Sequence, residues 1–375
     1  MKRFVLRILL FLVPFAALLA IEIFLLPIDF FTFRVWEALK TDSMSKYLPG
    51  YFYPDMSVTK VEEGDLGHHS VNGVKRRVEW RTDRGGYRNS WPASECGTLI
   101  IGDSNGVGTG LTQEDTPARA LARELGAKVY SFAPGSVNAY LKEQRFLDHP
   151  PSLVILLSIE RQVVTLRPVK KELVSPSAFE RQLIRARSLM SENRMVEKVA
   201  IPVDRAFKAI MLHYVRAEIR RNLSLSTPGG GKGEGQKRVL FLPPGLFGHE
   251  VPEALLKESV KVIAGYRDAF ERRGVRFLFL PIPDKENIYH DLVPLKEKPL
   301  FLTRLVPALR KEGIETVDVL NAFEGTYREN GPELYLSDDT HWGAEGVRIA
   351  ARLIKQEIAG KAPLAGAAGG MSKTP

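Results

Sequence analysis

The sequence predicts an α/β fold in which a parallel sheet is covered by helices on both faces, and three observations carry that prediction. Near-continuous apolar segments such as "SLVILLSI" at 152–159 alternate with helical patterns, the signature of strands buried on both sides. The first of these segments, Thr98–Ile101, ends in the glycine-rich turn "GDSNGVGTG", and open α/β sheets bind ligands at the edge where such turns lie. At 375 residues, 44% hydrophobic and 26% charged, the chain holds enough apolar material for one large domain with attachments.

The N-terminus stands apart. "MKRFVLRILLFLVPFAALLAIEIFLLPIDFF" opens with Lys2, Arg3 and Arg7, then runs uncharged from Ile8 to Ile21 before Glu22. With Phe4–Leu6 and Ile23–Leu26 the apolar stretch approaches the ~20 residues a membrane span needs. Basic residues ahead of it favour a cytoplasmic N-terminus and an exported body. Leu18 lies two places before Ala20, so an A-x-A cleavage site is missing. Residues 1–27 are therefore expected to be an uncleaved anchor, with a cleaved signal peptide as the alternative.

Residues 28–95 form a lead-in rich in Tyr, Gly and charge, with a strand suggested by the alternation in "VKRRVEW" and a turn by "TDRGGYRN", where Arg88 is expected to have a structural role in the turn, reaching the site being the alternative. The main domain is expected over 96–360. In it "ARALARELG" reads as a helix stopped by Gly126, "AKVYSFAPG" as a strand and "AYLKEQRFL" as a helix. The alternation breaks at about 169–238. There "FERQLIRARSLM" and "DRAFKAIMLHYVRAEIRRNL" have helical periodicity, with Phe207, Ile210, Met211 and Tyr214 on one face, and "STPGGGKGEGQKR" reads as a flexible linker. Strands resume with "RVLFLPP", "VRFLFLPIP" and "ETVDVL", separated by helices near Ala254–Arg273 and Phe301–Glu312. A last helix, "AEGVRIAARLIKQEIAG", closes the domain, and residues 361–375 are expected to be disordered.

Charge and cysteine usage narrow the chemistry. The net charge of +9 is uneven: between Arg167 and Asn222 there are 13 Lys/Arg against 6 Asp/Glu. A solvated helix face, anionic lipid or an acidic polymer all fit that excess, but no nucleic-acid recognition motif accompanies it, so no nucleic-acid partner is expected. Cys96 is the one cysteine, which excludes an internal disulfide and any multi-thiolate metal site. His68-His69 has no ligand-spaced partners. No metal and no cofactor are expected.

The turn after Ile101 fits neither phosphate-binding pattern. G-x-G-x-x-G lacks its third glycine, and no Gly-Lys-Ser/Thr follows. Gly102-Asp103-Ser104-Asn105-Gly106 does satisfy G-x-S-x-G, which aims a serine outward from a tight turn. A nucleophilic serine needs a base. "LYLSDDTHWGAEG" at 334–346 offers His341 within three residues of two carboxylates, so one imidazole nitrogen can be held by Asp while the other faces a serine hydroxyl.

"GDSN" after the first strand and "DDTHW" before the last helix resemble the SGNH/GDSL hydrolase superfamily. "DTHW" at 339–342, "PIPDKENIY" at 281–289, "IER" at 159–161 and the anchor resemble its alginate O-acetyltransferase-like (AlgJ/AlgX-type) branch of exopolysaccharide acetylation proteins. The resemblance runs from about Tyr87 to Glu357. It implies a three-layer α/β/α domain with Ser104 as nucleophile, His341 as base and Asp339 as the acid, Asp338 being the alternate at the D-x-x-H position. It implies oxyanion donors at the Ser104 and Gly135 backbone N–H groups. Ser158-Ile159-Glu160-Arg161 replaces the usual Gly-x-Asn-Asp block, so either Arg161 substitutes as a donor or Glu160–Arg161 is a structural pair. Asp284, Lys285 and Tyr289 are candidates for glycan or acyl binding or else a solvated turn, and Trp342 for stacking on a sugar or bracing its loop. The resemblance implies O-acetyl transfer to a polysaccharide on the outer side of the inner (cell) membrane, with a membrane-bound O-acyltransferase supplying the acetyl group. A carbohydrate esterase (deacetylase) with the same triad and a weakly active scaffold of a polysaccharide assembly complex are the competing functions.

Overall fold

The computed structural model describes residues 1–68, 70–170, 173, 177–210, 229–231, 239–242, 251–293 and 297–360. Four apolar segments build its main sheet: β3 (Thr98–Ile101), β4 (Val129–Phe132), β5 (Leu153–Ile159) and β7 (Arg276–Ile282). All are parallel, in the order β4-β3-β5-β7, with Ile100 opposite both Ser131 and Ile155, and Ile155 opposite Leu278. Every residue of β5 is buried, as its unbroken apolar run requires of an inner strand covered on both faces.

The chain leaves β3 toward β4 and leaves β5 toward β7, in opposite directions. Right-handed crossovers then put the intervening helices on opposite faces of the sheet. On one, α3 (Pro117–Leu125) packs against the last helix, α9 (Ala344–Ala359); on the other, α6 (Glu253–Glu271) packs against α7 (Phe301–Lys311) and β7. Helix α6 buries Leu256, Val262, Ile263, Tyr266 and Phe270 at helical spacing, while Gly126 stops α3 in the left-handed conformation. The reversal of direction between β3 and β5 makes their carboxyl ends a topological switch point, the ligand-binding edge of such sheets.

Two expected strands do not join this sheet. Val239–Phe241 (β6) pairs antiparallel with Gly229–Gly231, and the Leu240 N–H donates to the Ser337 carbonyl (2.7 Å). "ETVDVL" touches β7 through a single bridge at Thr316, because the chain turns at once into α8 (Leu320–Asn330), whose first N–H is accepted by the Asp318 carboxylate (3.1 Å). "AYLKEQRFL" splits into two short helices, Val137–Tyr140 and Gln144–Asp148.

The lead-in folds as a short helix, Val35–Leu39, and an antiparallel hairpin of β1 (Ser57–Glu62) and β2 (Arg76–Arg81). Its core of Val35, Leu39, Phe52, Tyr53, Val78 and Trp80 is continuous with Val107 and Ala133 beside the Ser104 turn. The insertion supplies two helices, α4 (Ala178–Ser191) and α5 (Arg194–Ile210), while Met211, Tyr214, most of the expected linker and the tail at 361–375 lie outside the described residues. At the N-terminus, α1 (Lys2–Phe24) is long and apolar enough to cross a membrane.

Candidate active site

Local sequence shapes the turn after β3. The Asp103 carboxylate accepts the Asn105 N–H (2.7 Å), capping the one-turn helix α2 (Ser104–Val107), and Gly108 ends it at φ 76°. Ser104, at the first helical position, keeps its side chain half-buried at the sheet edge and has a backbone N–H with no acceptor inside the helix. Arg88, fully buried, donates to the carbonyls of Gly108, Leu111 and Glu79 and clamps the far side of this turn from the lead-in.

The loop 334–342 faces that turn. Ser104 Oγ lies 2.7 Å from His341 Nε2, and His341 Nδ1 lies 2.5 Å from Asp339 Oδ1. With Nδ1–H donating to the carboxylate, Nε2 is the acceptor for the serine hydroxyl. Burial opposes the charge on Asp339, but His341 and Arg34 outweigh it and hold the carboxyl well below the usual range. Burial likewise opposes a charged imidazole, and Asp339 outweighs it, so His341 is raised above its ordinary value. Asp338 points elsewhere: its carboxylate accepts the N–H groups of Gly64 (2.8 Å) and Val74 (2.7 Å) and pairs with Arg76. Of the two candidate acids, Asp339 is the one on His341.

Several expected binding residues are instead the supports of this loop. Lys285, 1% exposed, donates to the carbonyls of Leu240 (2.7 Å), Leu336 (2.7 Å), Ser337 (3.2 Å) and Asp339 (2.9 Å). Burial pushes its ammonium down to about 8. The Tyr289 hydroxyl, also buried, accepts from the Leu334 and Tyr335 N–H groups. Trp342 is buried and its Nε1–H donates to the Asn105 carbonyl (3.2 Å), tying the histidine loop to the serine turn. Asp284 is buried against Arg161, Nη1 to Oδ1 2.5 Å. None of the four presents a face to a sugar ring.

The oxyanion expectations change too. The Gly135 N–H is spent on the Gly102 carbonyl (2.8 Å), joining the two turns of the sheet edge and leaving no donor there. Glu160 and Arg161 together hold the 284–287 turn: Glu160 accepts the Asp284 N–H (2.9 Å) and the Asn287 amide, and burial beside Asp284 pushes its carboxyl up to about 8. Both side chains are spent on that turn, and of the groups expected as oxyanion donors the Ser104 N–H is left.

Sequence inspection missed Arg34 and Asp65. The Asp65 N–H donates to Asp339 Oδ2 (3.1 Å), and its carboxylate accepts the Thr340 N–H and hydroxyl. Half-buried Arg34 lies 3.8 Å from the Asp65 carboxylate and 3.9 Å from that of Asp339. Burial and the neighbouring Asp339 push Asp65 up to about 6. No local motif marks either residue, since each acquires its role from a partner more than 270 positions away. Asp65, Asp339 and His341 hold ligand-type atoms within 4.8 Å of one another, but these atoms are engaged in the bonds just given and Arg34 already supplies the positive charge. The set suits a hydrogen-bonded triad better than a cation.

A cleft of about 410 Å³ opens beside Asp103, walled by Ser136, Asn138, Gln162, Arg167 and Lys170. It lies at the carboxyl edge of β3, β4 and β5, not at the "PIPDKENIY" turn.

A parallel α/β/α sheet with Ser, His and Asp brought together at its switch point defines a hydrolase-like class, and comparison with known proteins agrees. Residues 234–374 match the ALGX family, described as the SGNH hydrolase-like domain of acetyltransferase AlgX. The match takes in Asp339 and His341, while Ser104 precedes it. A probable alginate O-acetylase AlgJ of Pseudomonas syringae pv. tomato is 29% identical over 114 residues, 29% of this chain and 28% of that protein. Its namesake in Pseudomonas putida is 24% identical over 119 residues, 30% of each. The chain matches less than a third of the length of either relative. Over residues 234–374 the chain is thus similar to the SGNH hydrolase-like domain of the AlgJ/AlgX type.

Proposed function

We propose that this protein is a membrane-anchored O-acetyltransferase that modifies an extracytoplasmic polysaccharide through an acetyl-Ser104 intermediate. The observation that carries the proposal is the unbroken hydrogen-bond chain Ser104–His341–Asp339. In it, Ser104 Oγ attacks the acetyl carbonyl of the donor while His341 Nε2 takes the hydroxyl proton, and Asp339 stabilises the imidazolium. The proton then passes to the departing donor group. In the second half, His341 takes the proton of a sugar hydroxyl, whose oxygen attacks the acyl carbon, and the imidazolium returns that proton to the departing Ser104 Oγ. The Ser104 N–H meets the oxyanion in both halves.

The SGNH-like match and the O-acetylase names of the relatives support acetyl transfer and a polysaccharide acceptor. Helix α1 supports anchoring in the inner membrane, and an exported domain without acetyl-CoA needs a membrane-bound O-acyltransferase as donor partner. The cleft beside Asp103, with Arg167 and Lys170 on its wall, is the acceptor path in this reading. Remote sugar units bound there would accelerate transfer as well as binding.

The test is purified full-length protein with an acetyl ester donor, with and without candidate oligosaccharides, followed by mass spectrometry. Acetylated sugar formed at the expense of free acetate, faster with longer acceptors, is expected. Steady release of acetate from pre-acetylated polymer with no transfer would make the protein an esterase.

A further inference from the structure

Helix α5 is amphipathic in the inverse sense. Its charged stripe faces the protein: Glu197 pairs with Arg84, and fully buried Asp204 accepts the N–H groups of Asp42 and Met44 (2.8 Å) and the Tyr53 hydroxyl (2.6 Å). Lys208, also buried, donates to the Lys40 carbonyl and to Tyr53. The opposite face carries Met195, Val199, Phe207 and Ile210, which are 70, 65, 45 and 61% exposed. Water-facing helices have the reverse arrangement. Helix α4 contributes no buried residue at all, and exposes Phe179, Leu183 and Met190 on one side.

Where these helices lie says what covers them. Helix α5 packs against α1, and Arg205 donates to the carbonyls of Glu22 (2.9 Å) and Leu26 (3.4 Å), at the end of the apolar helix. Phe24, Leu25, Phe30 and Phe31 are exposed at that same exit point. By helical spacing exposed Arg187 lies beside Leu183 and Met190 on α4, and exposed Lys198 borders Met195 on α5, a placement found in helices that lie in a headgroup layer.

We propose that α4 and α5 form a lipid-contacting platform that rests on the anionic bilayer surface beside α1 and fixes how the catalytic edge is held over the membrane. The proposal rests on the anchoring of α1, because that helix is what would bring a bilayer to α5. Lipid fits better than a second copy of the chain, since the apolar face continues into the exit of α1 and is bordered by positive charge at Arg187 and Lys198.

The test uses the full-length chain reconstituted in phosphatidylcholine vesicles rich in phosphatidylglycerol, with an environment-sensitive fluorophore on single added cysteines; native Cys96 is buried. Labels at Val199→Cys, Phe207→Cys and Phe179→Cys should shift to the blue. They should be quenched several-fold more by spin-labelled lipid than by aqueous iodide, less so at Phe179→Cys in neutral vesicles. Val71→Cys, on a fully exposed residue of the lead-in, should do the opposite, and Phe11→Cys reports the anchor. Iodide reaching positions 199 and 207 as freely as 71, with position 11 in lipid, would overturn the platform and leave the anchor standing. Position 11 in water would remove the anchor and the platform together. Protection that persists in detergent and grows with protein concentration, with no lipid quenching, would assign the face to a second copy and refute the proposal.

Discussion

The two loops that meet at the candidate site are held in opposite ways. The serine turn is shaped mostly by its own residues, the Asp103 cap and the left-handed Gly108, with Arg88 as one clamp from outside. The histidine loop has bonds of its own, the Leu336 N–H to the His341 carbonyl (3.0 Å) and the Gly343 N–H to the Leu334 carbonyl (2.7 Å), but most of its other polar groups are held from outside. Its carbonyls are gathered by Lys285, its N–H groups by Tyr289 and its carboxylates by the lead-in, through Asp65, Arg76, and the backbone of Gly64 and Val74. Gly64 sits so close that a Cβ would come 2.1 Å from the Asp338 carbonyl oxygen. A nucleophile can thus be placed by a short motif, whereas the base needs the rest of the protein.

Four sets of variants break or sharpen this contrast. The largest effect is on chemistry: Ser104→Ala and His341→Ala should each lower acyl transfer by about 10⁴–10⁶-fold, with the double variant little worse than either, as for groups that act as a unit. Full activity on an acetyl ester in purified Ser104→Ala would remove the nucleophile assignment. Next is the histidine loop. Lys285→Met removes the ammonium from four converging carbonyls, leaves those of Leu240 and Asp339 without that donor, and should cost roughly 3 kcal/mol or more in denaturant unfolding, with activity lost alongside.

The third pair probes the lead-in through pH. His341 must be neutral to act as base, so activity rises with pH through its raised value. Arg34 opposes the imidazolium and Asp65 favours it. Arg34→Gln should therefore move the acid limb of the pH–rate profile to higher pH, and Asp65→Asn to lower pH. Rates that fall in both variants with the limb unmoved would reduce the two residues to packing. The smallest effects fall on the serine turn and the tie between the loops. Asp103→Ala and Trp342→Phe should each cost about 1 kcal/mol by thermal unfolding, the loss of one cap or one hydrogen bond. A Trp342→Phe cost as large as that of Lys285→Met would show that the tie, rather than the ammonium, holds the loop.

What could be read in the sequence follows the same division. The apolar run of β5, the stop at Gly126 and the pairing of "GDSN" with "DDTHW" are local or pattern-level features, and the fold and the Ser104–His341 pair were legible from them. Lys285 and Tyr289 were legible as residues of the site region but not in their role, and of the two roles open to Trp342 the structure has the bracing one. A lysine after a strand looks like a solvent-exposed turn residue, and only four converging carbonyls make its burial favourable. Val239–Phe241 has the composition of a sheet strand, yet its backbone is taken up by Gly229–Gly231 and Ser337.

By itself the sequence determined the parallel sheet, the anchor-like helix, and a serine and a histidine at the same edge, because apolar period, capping residues and glycine conformation act within a few residues of where they are written. The tertiary structure alone decided which aspartate reaches His341. Asp338 and Asp339 are neighbours of the same chemistry, and the choice came from what surrounds each carboxylate. Arg76 and the Gly64 and Val74 N–H groups take up Asp338, while Asp339 is left to the imidazole, with Asp65 and Arg34 behind it. Those partners lie hundreds of residues away along the chain, and a buried carboxylate takes its role from the charges and donors that fold against it.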